Sequence, residues 1–98
     1  YHADYEPVIA NKAGEPRTEI VTLCGKHCES GDAVVIDMPI QHPEIGDIAC
    51  VFTTGAYCST MSSNYNGQPK PAVVFVKDGV ARVVTRRETY ADLYARDI

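Results

Sequence analysis

Asp78-Gly79 separates two apolar, β-branched runs, residues 72–77 (AVVFVK) and 80–86 (VARVVTR), and no other stretch constrains the fold as tightly. A two-residue connection needs positive φ at both positions, which Asp-Gly tolerates, so the pair predicts a type I′ turn closing an antiparallel hairpin. Upstream segments read in the same state. Residues 5–10 (YEPVIA) and 18–24 (TEIVTLC) are predicted strands separated by the breakers Ala13-Gly14-Glu15-Pro16. Residues 33–37 (AVVID) follow the turn signal Ser30-Gly31-Asp32, and Pro39 with Pro43 predict a loop beyond them. Residues 48–54 (IACVFTT) are β-branched and aromatic with no polar stripe at helical spacing, which predicts a strand buried on both faces. Residues 53–71 turn to Gly, Ser, Thr, Asn, Tyr and Pro, the composition of an ordered or functional loop. In the tail, Tyr90, Leu93 and Tyr94 fall at i, i+3 and i+4 behind a capping Thr89, as in a short helix. The expected fold is mainly β, a small β-barrel or sandwich of about six strands with a short C-terminal helix.

Size and charge narrow the function classes. Ninety-eight residues at 45% hydrophobic content suit one compact domain over residues 1–98, which buries roughly 60–65% of its extended-chain surface. The chain opens at Tyr1 with neither a basic nor an apolar leader, so a domain cut from a longer protein is expected. No apolar run approaches the ~18 residues of a membrane span. Nine basic against thirteen acidic residues give a net charge of -4, scattered along the chain, and neither nucleic acid nor a membrane surface is an expected partner. The four cysteines, Cys24, Cys28, Cys50 and Cys58, could form two disulfides, but a core this aliphatic does not require them; reduced thiols in a cytoplasmic protein are expected.

Chemistry concentrates in CGKHCESGD, residues 24–32. Two cysteines, a histidine, a lysine and two carboxylates share one loop between predicted strands, and Gly25 and Gly31 permit tight turns that bring Cys28 and Glu29 to one edge. Taken singly, each cysteine reads as a small buried apolar residue. A zinc site from Cys24, His27, Cys28 and either Cys50 or Cys58 has poor spacing, since C-x3-C is followed only by isolated cysteines; no metal is expected. A second signal is Gly55-Ala56-Tyr57, with MSSNYNG (61–67) behind it. Hydroxyl-rich and emerging from a strand, this loop suits an anionic or polar ligand, Tyr57 offering one phenolic donor to a phosphate; packing over a core edge is the alternative.

CESGD, then GAY, then SSNYNG with Pro69-Lys70-Pro71, then RRETYADL, in this order over almost the whole chain, resembles the C-terminal domain of diaminopimelate decarboxylases. YHADYEPVIANK is similar to the stretch following the family's R-P-x-x-Y motif, with Tyr1 as its tyrosine and the arginine just upstream. The chain departs from the family in Cys58 after the GAY tyrosine, Thr60 before Met61, and Gln68 where an arginine is frequent.

The resemblance implies a C-terminal β-barrel of the alanine racemase and decarboxylase type, and an N-terminal TIM barrel holding pyridoxal 5'-phosphate (PLP) on a lysine. It further implies a homodimer with shared active sites, in which Cys28 and Glu29 reach into the partner's site while Tyr57 approaches the cofactor of its own subunit. The reaction the resemblance implies is conversion of meso-2,6-diaminopimelate to L-lysine and CO2. Carbon left by the departing carboxylate must be reprotonated, and the resemblance makes Cys28 the donor; a thiol with reference pKa about 8.5 is protonated yet able to give up its proton. Glu29 would accept from the distal ammonium of the substrate, with Tyr57 and Tyr1 adding hydroxyl contacts. Related enzymes acting on ornithine, arginine, lysine or carboxynorspermidine are the nearest alternative, and a stand-alone zinc-binding β module a remote one. Arg86 and Arg87 read as surface charges of the hairpin, Cys24 and Cys50 as core residues, and His27 as a loop or interface residue.

Overall fold

A computed structural model describes residues 4–98; Tyr1, expected to contact the substrate, lies outside them. The described residues are mainly β with one short helix. The strands are β1 (Pro7–Ile9), β2 (Glu19–Cys24), β3 (Ala33–Ile40), β4 (Ala49–Val51), β5 (Val73–Lys77) and β6 (Val80–Thr85), followed by α1 (Tyr90–Leu93). They pair antiparallel as β1 with β4, β2 with β3, and β5 with β6, giving three two-stranded sheets and no closed barrel among the described residues. The chain forms two compact units, the first ending at Thr60 and the second beginning at Met61.

In the first unit Val8, Ile9, Val35 and Ile40 are the buried apolar residues, joined by Pro7 and Gln41. Gln41 is tolerated there because its amide is used at both ends: Oε1 accepts from the Ile9 N–H at 3.0 Å, and Nε2 donates to Glu15 O at 3.4 Å. Arg17 ties β1 to β3 by donating to Pro7 O at 2.6 Å and Pro39 O at 3.0 Å.

The β2–β3 ladder slips twice. Val21 faces Met38 and Leu23 faces Val35, so β3 spends three residues where β2 spends two; Cys24 then faces Ala33, and β3 again carries one residue more. At the first irregularity Asp37 sits at φ 51° and donates its N–H to Thr22 Oγ1 at 3.3 Å. An odd step along a regular strand puts two side chains on opposite faces, but the bulge restores the parity, so Val35 and Met38 both turn inward.

Three expectations need correction. Residues 48–54 do not form a strand buried on both faces: β4 is three residues long, it pairs only with β1, and Thr53 leaves the extended region at φ 59°. Ile48 and Phe52 beside it are exposed. Pro39 does not end β3, which runs through to Ile40. Since β3 pairs with β2 alone, a proline without an N–H costs no ladder bond on the unpaired side. Cys24 is an exposed strand-end residue, not a core one, and Cys50 is half-buried.

In the second unit the predicted turn forms as expected, with Asp78 at φ 51° and Gly79 at φ 76°. Lys77 pairs with Val80 at the hairpin's end. The C-terminal helix is a single turn closed by a capping box. Thr89 accepts from the Asp92 N–H while the Asp92 carboxylate accepts from the Thr89 N–H. Arg86 is not merely a surface charge: it grips Asp92 with both guanidinium nitrogens, at 2.6 and 2.9 Å, and this holds the Asp92 carboxyl far below the usual carboxylate range.

Candidate functional site

Cys24 and Ala33 face each other at the end of the β2–β3 ladder, so residues 25–32 are the tip of one hairpin. The Gly25 N–H donates to Asp32 O at 2.8 Å and closes its base, while the Asp32 N–H donates to Glu29 O at 3.1 Å and closes a turn within it. Cys28 and Glu29, adjacent in this loop, are both exposed. All four cysteines are thiols outside disulfides.

Asp32 organises the tip. Its Oδ2 accepts from the His27 backbone N–H at 2.8 Å and lies 3.1 Å from His27 Nδ1. A carboxylate offers only acceptors, so Nδ1 is the ring nitrogen that carries the hydrogen. The Asp32 carboxylate occupies the space a side chain at position 25 would need: a Cβ there would lie 2.2 Å from Oδ2. Gly31 stands in the same relation to Glu29. Its N–H donates to Glu29 Oε2 at 2.6 Å, and a Cβ at position 31 would lie 2.6 Å from that oxygen. Neither glycine is at positive φ. They serve the tip by admitting a carboxylate against bare backbone rather than by supplying left-handed backbone, and Gly31 does so within the Glu29–Asp32 turn. The bond to Gly31 leaves Glu29 acceptor capacity, because a carboxylate has about four lone-pair sites. Among the described residues no three His, Cys, Asp or Glu side chains converge as metal ligands do.

Tyr57 belongs to a different loop, the one that leaves β4. Thr53 at φ 59° and Tyr57 at φ 69° both adopt left-handed backbone, which costs an L-residue roughly 1–2 kcal/mol and is seen where a structure fixes a functional side chain. The Tyr57 side chain is presented to solvent, at 68% exposure. The next residue anchors the loop: Cys58 Sγ lies 3.8 Å from Tyr5 Oη, and this hydrogen bond raises the Tyr5 phenol above its ordinary value.

The SSNYNG segment is built as a lock within its own unit. Asn64 Nδ2 donates to Gln68 O at 3.0 Å and to Glu88 Oε1 at 2.8 Å. Glu88 Oε1 also accepts from the Lys70 N–H at 2.7 Å. The asparagine bond first, then the backbone bond, hold the Glu88 carboxyl below its ordinary value. Asn64 thus joins the turn, the P-x-P segment and the approach to α1.

Residues 1–55 match the family model described as pyridoxal-dependent decarboxylase, C-terminal sheet domain. The chain belongs to this family. The matched part of the sheet domain includes the whole tip with Cys28 and Glu29 and ends just before Tyr57. Over its full 98 residues the chain is 46% identical to a diaminopimelate decarboxylase of Bacillus subtilis, of which it covers 22%. To that of Synechocystis it is 46% identical over 97 residues, covering 99% of the chain and 21% of the relative. The structure of the M. jannaschii diaminopimelate decarboxylase in complex with L-lysine superposes with a TM-score of 0.87 at 33% identity, over 100% of this chain and 22% of that one. The chain therefore spans about a fifth of the length of the relatives it matches.

Within this sheet domain Cys28, Glu29 and Tyr57 were legible in sequence as candidates. The contacts that shape their loops, His27 with Asp32 and Tyr5 with Cys58, were not. In sequence His27 reads as a loop or interface residue; the available signal is a carboxylate five positions later across a loop flanked by glycine, which allows the chain to fold back on itself.

Proposed function

We propose that the chain is the C-terminal domain of a PLP-dependent diaminopimelate decarboxylase. In this reading residues 1–98 form one domain of a two-domain enzyme, completed as a small β-barrel, with the cofactor lysine on an N-terminal TIM barrel. The enzyme is a cytoplasmic homodimer with shared active sites. The observation that carries the reading is the pairing of an exposed thiol and an exposed carboxylate, Cys28 and Glu29, in one hairpin tip of a chain of this family.

PLP, when bound, acts as an electron sink for the carbon that loses its carboxylate. The C–C bond to that carboxylate breaks, CO2 leaves, and the same carbon takes a proton from the Cys28 thiol. The thiolate recovers its proton from solvent before the next turnover. Glu29 accepts from the ammonium at the far end of the substrate, fixing which end is decarboxylated. An exposed phenol on a loop tied back at Cys58 suits a hydrogen bond to the cofactor phosphate, and this is the role of Tyr57, which also borders the substrate. Tyr1 adds a further substrate contact.

The test is a turnover panel of the full-length enzyme on meso-2,6-diaminopimelate, ornithine, arginine, lysine and carboxynorspermidine. Turnover of diaminopimelate with release of L-lysine and CO2 is expected. Turnover of another panel member without diaminopimelate would overturn the substrate assignment.

A further inference from the structure

The tip of the β2–β3 hairpin contains a second pair that the reaction does not touch. One oxygen of Asp32, Oδ2, meets the His27 backbone N–H at 2.8 Å and the His27 ring Nδ1 at 3.1 Å. The peptide gripped in this way, Lys26–His27, lies one residue before Cys28. On its other side the same carboxylate presses on the backbone of Gly25, where a Cβ would lie 2.2, 2.4 and 2.5 Å from its three terminal atoms. The clasp therefore spans the tip, and it closes only because position 25 has no side chain. Both partners are half-buried while Cys28 and Glu29 beside them are exposed. An eight-residue connection between paired strands has many conformations available, and a thiol that must meet one carbon of a bound molecule tolerates few of them.

The geometry points to His27 and Asp32 as positioning residues that hold Cys28 in line for proton delivery. This rests on the assignment of Cys28 as proton donor made above. His27 acts through its Nδ1–H and its backbone N–H on Asp32, and Asp32 acts by fixing both the backbone and the ring of the residue before Cys28; neither touches the reacting atoms. Loosening the clasp should slow the proton step while leaving substrate capture by Glu29 largely intact.

Four substitutions in the full-length holoenzyme test this, with Cys28→Ala as the reference. Displacement of a reacting group by about 1 Å can cost on the order of 100-fold, so His27→Ala and Asp32→Ala should each lower kcat by roughly 10- to 100-fold with KM for diaminopimelate changed less than about threefold. His27→Asn places an amide donor where Nδ1 stood and should recover most of kcat. Gly25→Ala should reproduce the loss, since its Cβ evicts the carboxylate. A readout independent of turnover is amide hydrogen exchange over residues 24–33, which should accelerate in His27→Ala, Asp32→Ala and Gly25→Ala but not in Cys28→Ala or His27→Asn. If Cys28→Ala itself retains full turnover, the proton-donor assignment fails. If Cys28→Ala collapses kcat while His27→Ala and Asp32→Ala keep wild-type kcat and exchange, the positioning inference alone is overturned, as it is if His27→Asn fails to rescue.

Discussion

In the proposed reading Cys28 and Glu29 are neighbours with separable consequences, because one would donate a proton in the chemical step and the other would hold a charge throughout. General acid catalysis contributes about 100- to 10,000-fold, so Cys28→Ala should lower kcat within that range and leave the visible absorbance of the bound cofactor unchanged. Glu29→Gln keeps an acceptor but removes its charge. Hydrogen bonds to charged groups contribute about 1.5–3 kcal/mol, so this change should raise KM for diaminopimelate by roughly 10- to 100-fold with a smaller effect on kcat, as steady-state kinetics would show. Unchanged kinetics in both variants would end these role assignments. At this scale the two candidates were legible because residue types and order in CESGD are distinctive. The Asp32 clasp was not, since a bond between positions 27 and 32 exists only after the tip folds back over Gly25. Cys24 departs from its expected core place for a related reason: alternation along β2 decides its face, and the strand ends there with Cys24 exposed.

Elements answer to local chemistry more than to chemistry at the site. Gly79 at φ 76° closes the β5–β6 hairpin, and an alanine there should destabilise the protein by about 1–2 kcal/mol, measurable by urea unfolding. Thr89→Ala removes the side-chain acceptor of the one-turn helix and should cost about 1 kcal/mol. In the first unit Lys12 Nζ lies 2.8 Å from Asp47, and that bond, with those from Asn11 and the Glu44 backbone, lowers the Asp47 carboxyl to about 2. A carboxyl depressed on folding stabilises fully above its unfolded value of about 4. That contribution fades as pH falls toward 2, so Asp47→Asn should flatten the acid limb of the unfolding curve between those values. His42 has the opposite sign. Its bond to Glu19 raises its pKa, so its contribution is complete below about pH 6.5 and disappears as pH rises through the folded value. The Asp-Gly turn and the cap were legible because each is decided within four residues. Neither the short β4 nor the continuation of β3 through Pro39 could be read, because pairing partners decide them.

At the level of the whole molecule, apolar surface exceeds what this chain covers. Ile20 and Ile36 on the first unit are each 65% exposed, and Phe75, Val76 and Val83 on the β5–β6 hairpin lie between 58% and 71%. A strand apolar on both faces is the pattern of one that is covered on both, whereas the described residues form two-stranded sheets that leave these side chains exposed. A chain that spans about a fifth of its relatives' length leaves room for the cover to come from the remainder. The 98-residue chain expressed alone should therefore carry no PLP, and cofactor absorbance copurifying with it would contradict the assignment of the cofactor lysine to another domain.

The two extra residues in β3 have a consequence for how such a protein changes over time. The second of them lies between the Leu23–Val35 and Cys24–Ala33 pairs, so an irregularity already separates the buried Val35 from the connection beyond. In the proposed enzyme the connection at 25–32 could be varied around Cys28, Glu29 and the clasp that holds them, by a lineage or an engineer, to alter what is accepted without rewriting the interior.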